Sequence, residues 1–457
     1  MAVGKRATKK SFKIYLFEFI RAFVNFGCVV FACRSFTKSQ LIYKLYAGYW
    51  IIHITCVLLY SLHYELHLHS DMGGLMFNLL FIAQMVTHIS ILLESFFMDS
   101  KRAETTKIYK EFEKRFNKEF GRLHAYSNFS SESCLSSILS VLIVMVNVSF
   151  KIYSLYVYQL TLKNTLLVWH TLPNALAVQF RILELILSTT VLNEYAIILC
   201  RKLNEMGERN IRRVFGHYLR GLPVSKGCII RVMSPTLQPS EEADEQKLRV
   251  YKKFYGDIYN MFKIINESHG WSLLAFMIMY FIYFTINSYW VIFSLIARLS
   301  EHVTLIRNLG FLVVVVTLLW ILCWQSQNSQ EQVSAAMVGE FVGSIYFSCK
   351  RTTTLILYIT SRQIGCIMFK LVKPLGNKCY NDLVTDFSLQ TLHQQYIITA
   401  KEFFNLNLTL LGSMVASIVT YLVILIQFMF AEKNKADRNE ILSSIVNNEN
   451  STASVSN

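Results

Sequence analysis

The stretch Thr420-Tyr421-Leu422-Val423-Ile424-Leu425-Ile426-Gln427-Phe428 lies near the end of the last apolar segment of the chain. Its apolar run ends in the carboxamide of Gln427, which lipid accepts only at a cost in free energy. Gln427 is therefore predicted to face protein or water. Counted backwards, one helix face carries a mostly small and polar stripe at spacings of four and three residues, formed by Ser413, Ser417, Thr420, Ile424 and Gln427. The pattern predicts a membrane-spanning helix whose polar stripe faces a wet axis shared by several copies of the chain.

The same nine residues fit the pattern Thr-Tyr, five apolar residues, Gln-Phe that closes the last helix of insect gustatory receptors, and the chain resembles that family. Residues 386–394, Asp-Phe-Ser-Leu-Gln-Thr-Leu-His-Gln, resemble the segment just before that helix, and residues 399–406 resemble its start. The chain departs from the pattern at Glu402, where many members have a glycine before Phe403. This departure predicts a local difference in helix packing or in charge.

Composition independently indicates a polytopic membrane protein. Hydrophobic residues make up 53% of the chain and aromatic residues 14%, well above the values of soluble domains. The weaker apolar run at 12–33 contains three charged residues and is predicted to be an amphipathic helix at the inner membrane surface, with an eighth span as the alternative. Apolar runs of about 20 residues predict seven membrane-spanning helices at residues 45–62, 72–95, 134–160, 172–200, 271–299, 309–325 and 403–430.

The orientation follows from the basic residues, which are enriched in cytoplasmic loops. With the N-terminus inside, 37 of the 45 Lys and Arg residues fall in inner segments, 6 in outer segments and 2 within spans. Seven spans then place the C-terminus outside, which is the reverse of a G-protein-coupled receptor. Charges of alternating sign at residues 110–115 and 202–213 predict long helices that extend the spans into the cytoplasm.

The predicted organisation combines these spans with what the family resemblance implies. The part of the tail after Glu432 is predicted to be disordered. The successive regions are a cytoplasmic N-terminus with an amphipathic helix (1–44), a six-helix ligand-binding membrane bundle with long inner loops (45–325), a cytoplasmic anchor segment (326–402), a pore-lining seventh helix (403–430) and an extracellular tail (431–457).

The sequence gives no evidence of an enzyme, a metal site or a bound cofactor. It contains no nucleophile elbow, phosphate loop or metalloprotease helix. His63, His67 and His69 have spacings that could hold a metal, but solvated loop histidines are the favoured interpretation because no fixed scaffold supports them. The net charge of +15 comes from residues that flank the spans, so the expected partner is anionic inner-leaflet lipid and not nucleic acid.

Ionisable residues within the fourth predicted span have two interpretations. Arg181 and Glu184 lie three residues apart, so they either contact a ligand or form a pair that braces the helix bundle. By resemblance to the family, the ligand pocket lies in the outer half of the bundle and takes a small organic compound between apolar walls with polar tips. The candidate pocket residues are Tyr156, Gln179, Arg181, Tyr283, Asn287 and Trp290.

The resemblance implies a taste receptor that acts as a ligand-gated, non-selective cation channel in the plasma membrane of sensory neurons. The resemblance also implies that four subunits, identical or mixed, surround the axis. The sequence itself supplies one polar-striped helix, which is too narrow to conduct unless several copies share an axis. The preferred ligand class is a non-sugar, bitter-type compound, since the sixth span and the segment after it lack the features expected of sugar receptors. The candidate pore and gate residues are Gln427, Phe428, Ile424, Thr420 and Ser417.

Two alternative functions are a seven-helix G-protein-coupled receptor and a secondary transporter. The first predicts an Asp-Arg-Tyr motif after the third span and Asn-Pro-x-x-Tyr in the seventh, and neither motif is present at those places. The second predicts paired, broken helices in two halves, whereas Pro173 is the one proline near a span. Neither alternative accounts for the terminal motif.

The distribution of basic residues generates a prediction about topology. An epitope tag placed after Asn457 is expected to be labelled by antibody on intact cells, and a tag placed before Met1 only after permeabilisation, because inner segments hold 37 basic residues and outer ones 6. Labelling of the N-terminal tag on intact cells would contradict this orientation.

Overall fold

The computed structural model describes residues 2–32, 40–65, 72–120, 131–157, 162–221, 239–296, 302–330, 367–368, 371 and 378–453. Within these ranges the chain is all-helical apart from one isolated β-bridge in the loop before the last helix. The helices are α1 (Ala2–Phe31), α2 (Gln40–Glu65), α3 (Met72–Phe120), α4 (Ser131–Val157), α5 (Leu162–Gly221), α6 (Pro239–Ile296), α7 (His302–Gln330), α8 (Lys378–His393) and α9 (Leu408–Ala453).

Six of these helices carry stretches long and apolar enough to cross a membrane, counted over the described residues. They are α2, α3, α5, α6, α7 and α9, and each overlaps one predicted span. The predicted third span, 134–160, coincides with α4, whose described apolar stretch, Ser137–Ser149, is shorter. Its last predicted residues, 158–160, lie outside the described ranges.

Three helices extend far beyond the thickness of a bilayer. Helices α3, α5 and α6 contain 49, 60 and 58 residues, or roughly 75–90 Å at 1.5 Å per residue, against an apolar layer of roughly 30 Å. The long helices predicted for 110–115 and 202–213 are therefore confirmed as continuations of the spans. Edge-to-face ring contacts join the three helices, with the ring centroid of Phe116 of α3 4.9 Å from that of Tyr195 of α5 and 5.2 Å from that of Phe254 of α6.

The N-terminal run predicted as an amphipathic helix lies in helix α1, and one side of α1 packs against α5. Phe17, Val24 and Cys28 on this side are buried, and the ring of Phe31 stacks on that of Phe180 with centroids 5.7 Å apart. A Cβ atom on Gly27 would lie 2.2 Å from the same Phe180 ring. The close approach of the two helices therefore depends on glycine at this position.

Helix α9 differs at both ends from the predicted span at 403–430. It begins at Leu408, because residues before it form a loop, and it continues to Ala453. The prediction of a disordered tail after Glu432 is therefore wrong for the described residues. Residues 432–453 contain neither glycine nor proline, and Lys433 and Asp437 have the i, i+4 spacing of a helix-stabilising pair.

Candidate functional site

The start of α9 is fixed by hydrogen bonds to the end of α7. Asn407 is the N-cap, because its Oδ1 accepts from the backbone N–H of Leu410 at 2.7 Å. Gln327 of α7 accepts from the N–H of Leu408 at 2.8 Å, and Ser326 donates to the carbonyl of Leu406 at 2.7 Å. The last helix therefore cannot move at this end without breaking contacts with α7.

The same end of α7 is also bonded to α5. Thr190 donates to the side-chain carbonyl of Gln325 at 2.6 Å, and Asn193 donates to the backbone carbonyl of Gln325 at 3.3 Å. The consecutive residues 325–327 thus connect α5 with the start of α9. These polar residues follow the apolar part of α7, and this change in composition is the sequence signal that could have identified them as a junction.

The loop between α8 and α9 is bound to α6 by Asn266. The Asn266 side chain donates to the carbonyl of Ile397 at 2.7 Å and accepts from the N–H of Thr399 at 3.1 Å. An antiparallel bridge pairs Thr399 with Asn405 and closes the loop. Burial raises the pKa of the Tyr396 hydroxyl well above its usual value, so the hydroxyl stays neutral and donates to the carbonyl of Tyr255 at 3.3 Å.

Two residues at the tip of this loop have left-handed backbone conformations. Lys401 has φ of 48° and Glu402 has φ of 65°, a region that glycine occupies without the steric cost paid by other residues. Glu402 is also the position at which the sequence departs from the gustatory receptor pattern, which has glycine there in many members. The turn therefore forms with a strained glutamate at a position whose backbone conformation favours glycine.

Helix α9 has two different faces within the subunit. One face packs on α6, with Leu422, Leu425 and Met429 against a cluster that includes Ile286 and Tyr289. The polar stripe lies roughly 200° around the helix from that face, two residues away at each turn. Its hydroxyl groups bond to the backbone of their own helix, as Ser417 does to the carbonyl of Ser413 at 3.0 Å.

All the predicted pore and gate residues are exposed in the isolated subunit. The apolar side chains of Phe428 and Ile424 are 61% and 42% exposed, so the subunit itself does not cover them. In the most apolar stretch of α9, 6% of the residues are buried within the subunit, compared with 89% in that of α5. The uncovered residues are Ser417, Thr420, Ile424, Gln427 and Phe428.

Three of the candidate pocket residues lie along one side of α6. Tyr283, Asn287 and Trp290 follow each other at spacings of four and three residues, and the Tyr283 hydroxyl donates to Gln84 of α3 at 2.9 Å. Trp290 packs near the α6 face that meets α9. Gln84 was not among the sequence candidates, although an amide within an apolar span was a usable signal.

The remaining pocket candidates lie on other helices. Gln179 of α5 is buried, and its side-chain carbonyl oxygen has no hydrogen-bond partner among the described residues. Tyr156 belongs to α4, but its side chain lies outside the part of the structure that is described.

Arg181 is completely buried at the centre of an ionic cluster. Its guanidinium group lies 2.7 Å from Glu184 on the same helix and 3.2 Å from Glu94 of α3, and it donates to the carbonyl of Ser268 of α6 at 2.9 Å. Glu94 also accepts from the backbone N–H of Trp271 at 3.1 Å. The cluster joins three helices at one level, and Glu94 is the member that sequence reasoning missed.

The cluster lies at the ends of two predicted spans and not beside the pocket candidates on α6. Glu94 is next to the last residue of the predicted second span, and Ser268 precedes the predicted fifth span. Ser268 and Tyr283 are 15 residues apart on α6, or roughly 22 Å along the helix. The structure therefore brings Arg181 together with Glu94 and Glu184, and not with Tyr283 and Asn287.

Comparison with known proteins identifies the family. The sequence profile described as the 7tm chemosensory receptor matches residues 14–432. The chain belongs to the 7tm chemosensory receptor family. Gustatory receptor 23a of Drosophila melanogaster is 31% identical over 415 residues, which cover 90% of this chain and 94% of the relative. Putative gustatory receptor 2a of the same species is 26% identical over 224 residues, 45% of this chain and 47% of the relative.

Solved structures with a similar fold are those of an insect olfactory receptor. The fold resembles OR5 from Machilis hrabei with a TM-score of 0.59 at 9% identity, over 90% of this chain and 99% of the other. The structure of OR5 in complex with eugenol gives a TM-score of 0.55 at 12% identity with the same coverage. These comparisons confirm the predicted resemblance and place this multi-pass membrane protein among chemosensory receptors and not among enzymes.

The ionic cluster predicts how the fold responds to loss of the buried cation. Arg181→Met is expected to destabilise the subunit by about 3–5 kcal/mol, because two carboxylates lose their buried partner. Surface expression, measured by labelling of intact cells, should fall strongly. The triple variant R181M/E94Q/E184Q removes the uncompensated charges and is expected to recover most of that expression. Normal expression of Arg181→Met, with an altered ligand response, would contradict the bracing role.

The left-handed turn predicts a stabilising substitution. Glu402→Gly is expected to raise the stability of the subunit by about 1 kcal/mol, because glycine adopts a φ of 65° without steric cost. The control is Glu111→Gly on the exposed surface of helix α3, which should lower stability by about 1 kcal/mol. Thermal unfolding of the purified receptor measures both. A lower unfolding temperature for Glu402→Gly would contradict the strain assigned to this turn.

Proposed function

We propose that this chain is one subunit of a taste receptor that works as a ligand-gated, non-selective cation channel. Four subunits surround a common axis, each with seven spans, the N-terminus inside and the C-terminus outside, in the plasma membrane of sensory neurons. The polar stripe of α9 lines the pore. Family membership and the gustatory relatives support the sensory role.

One observation carries the proposal: the last helix is apolar but almost uncovered, and its uncovered side includes a polar stripe. In a helix that faces lipid on all its free sides, an aligned row of Ser417, Thr420 and Gln427 would cost free energy. In a helix that faces copies of itself around a water-filled axis, the same row is hydrated. A closed ring also covers the adjacent apolar residues, because each subunit presents the same surface to the next.

The bonds at the start of α9 give this channel a fixed and a movable end. Residues 325–327 and Asn266 hold the inner end to α5, α6 and α7. The outer end, with Gln427 and Phe428, is held to α6 by the apolar contacts of Leu425 and Met429, which a small rotation can exchange. Gln427 and Phe428 are about 100° apart, so a modest rotation exchanges an apolar ring for a carboxamide at the constriction and admits water.

The ligand in this proposal is a small organic compound of the non-sugar, bitter type. It binds in the outer half of the bundle, where Tyr283, Asn287 and Trp290 line one side of α6. Gln179 lies two residues from Arg181, or roughly 3 Å along α5, and is therefore at the level of the ionic cluster and not part of this pocket. The similar fold of OR5, which has been solved with eugenol, supports a small organic ligand. Contact between the Trp290 cluster and α9 provides a direct route from that region to the pore helix.

Recording from cells that express the subunit alone tests the pore assignment. Gln427→Ala and Phe428→Ala are expected to change basal leak, conductance or ion selectivity without loss of assembly, because both alter the constriction. Ile52→Ala, which is 67% exposed on α2 and lies away from the pore, is the control and should behave like the parent.

Chemical access gives a second measurement for the same helix. Gln427→Cys should react with aqueous thiol reagents in a way that changes the current, whereas the parent chain should not respond. The pore assignment fails if the alanine variants assemble and conduct like the parent and the cysteine at this position never reacts.

A further inference from the structure

A cavity of about 160 Å³ lies between α1, α3, α5 and α6, next to the ionic cluster and away from the outer pocket candidates. Glu184, Ser268 and His269 form its buried end. Arg21, which is exposed, lies among the residues at its other end. The cavity therefore leads from the surface of the subunit to a buried carboxylate.

The walls between these ends are mostly apolar. Val24 of α1, Leu187 and Val191 of α5, and Met261 and Ile265 of α6 line them. An apolar cavity of roughly 150 Å³ holds one benzene molecule. A six-membered ring with one short polar arm therefore matches both the volume and the lining.

The charges at the buried end favour a cation. Among the described residues of the cluster, one guanidinium group, Arg181, is bonded to two carboxylates, Glu94 and Glu184. These three side chains therefore carry one formal positive charge against two formal negative charges. Glu184 lines the cavity, and His269 Nε2 lies 3.7 Å from its Oε2. Burial makes an added positive charge at this place worth more than it would be in water.

The groups at the other end do not oppose this preference. Arg21 and Cys28 are seven residues apart on α1, or roughly 10 Å, and Cys28 Sγ is 3.6 Å from the Glu184 carboxylate. The Arg21 guanidinium lies over the ring of Tyr109 at 5.3 Å, in a position that solvent screens. Burial raises the pKa of the Tyr109 hydroxyl to about 12, so it adds no charge at cellular pH.

We propose that this cavity binds small protonated amines, with the ammonium group beside Glu184 and the apolar body against α5 and α6. Thr106 and Tyr109 line the cavity from the part of α3 that follows the second span. Under the proposed orientation that part is cytoplasmic, so the site is open to intracellular amines and is separate from the tastant pocket. Only the assignment of the site to the cytoplasmic side depends on the proposed function.

Binding to the purified full-length chain tests the proposal without any channel current. The probe is 4-fluorobenzylamine, observed by fluorine NMR line broadening during titration, and the neutral comparison is 4-fluorobenzyl alcohol, which has the same shape. The amine is expected to bind about tenfold more tightly, as one partly buried charge pair provides. Glu184→Gln should abolish that difference and leave the alcohol unchanged.

Variants that fill the cavity provide an independent measurement. Ser188→Phe from α5 and Asn25→Phe from α1 reach into it from opposite walls, so both ligands should lose binding in each variant that folds. Ser149→Phe, on the exposed surface of α4, is the matched control and should bind both ligands like the parent.

Three results would overturn the proposal. The first is the absence of amine binding to the parent chain. The second is equal affinity of the parent for the amine and the alcohol. The third is amine binding by both filled variants at the level of Ser149→Phe. If the receptor binds the amine but carries no current, the amine site is supported and only the proposed channel function is contradicted.

Discussion

A completely buried guanidinium group is the interaction on which the packing of this receptor depends. Arg181 cannot leave water without compensation, because the cost of burying an unpaired charge is several kcal/mol. Glu184 supplies one carboxylate from the same helix, Glu94 supplies another from α3, and α6 supplies a backbone carbonyl. The three longest helices are therefore held in one register at the level of Arg181.

The last helix has the opposite character, since little of it is covered by its own subunit. Its packed face meets α6 through Leu422, Leu425 and Met429, while its polar stripe is left open. Bonds from Asn266 and from residues 325–327 hold the start of the helix and the loop before it. A helix held by hydrogen bonds at one end and by apolar contacts at the other is suited to the small rotation that the proposed gate requires.

The two sites assigned to the bundle differ in the chemistry that they offer. The outer candidates present amide and hydroxyl groups with aromatic surfaces, which suit neutral organic compounds. The cavity between α1, α3, α5 and α6 presents the Glu184 carboxylate beside apolar walls, which suits an ammonium group. Because the ionic cluster forms the end of this cavity, a cation bound there would also stabilise the register of α3, α5 and α6.

The sequence by itself determined the family, the all-helical class, six of the spans now described and the long extensions of α3 and α5, because hydropathy, charge alternation and the TYLVILIQF motif are local patterns. It also identified Glu402 as unusual, but only the structure showed the left-handed turn there. The tertiary structure alone decided that Arg181 is bonded to Glu94, that α1 packs on α5 and that α9 continues to Ala453. The first two depend on contacts between residues 87 and more than 140 positions apart, which no local pattern encodes. The third depends on the absence of glycine and proline from residues 432–453. The polar composition of this tail had led to the wrong prediction of disorder.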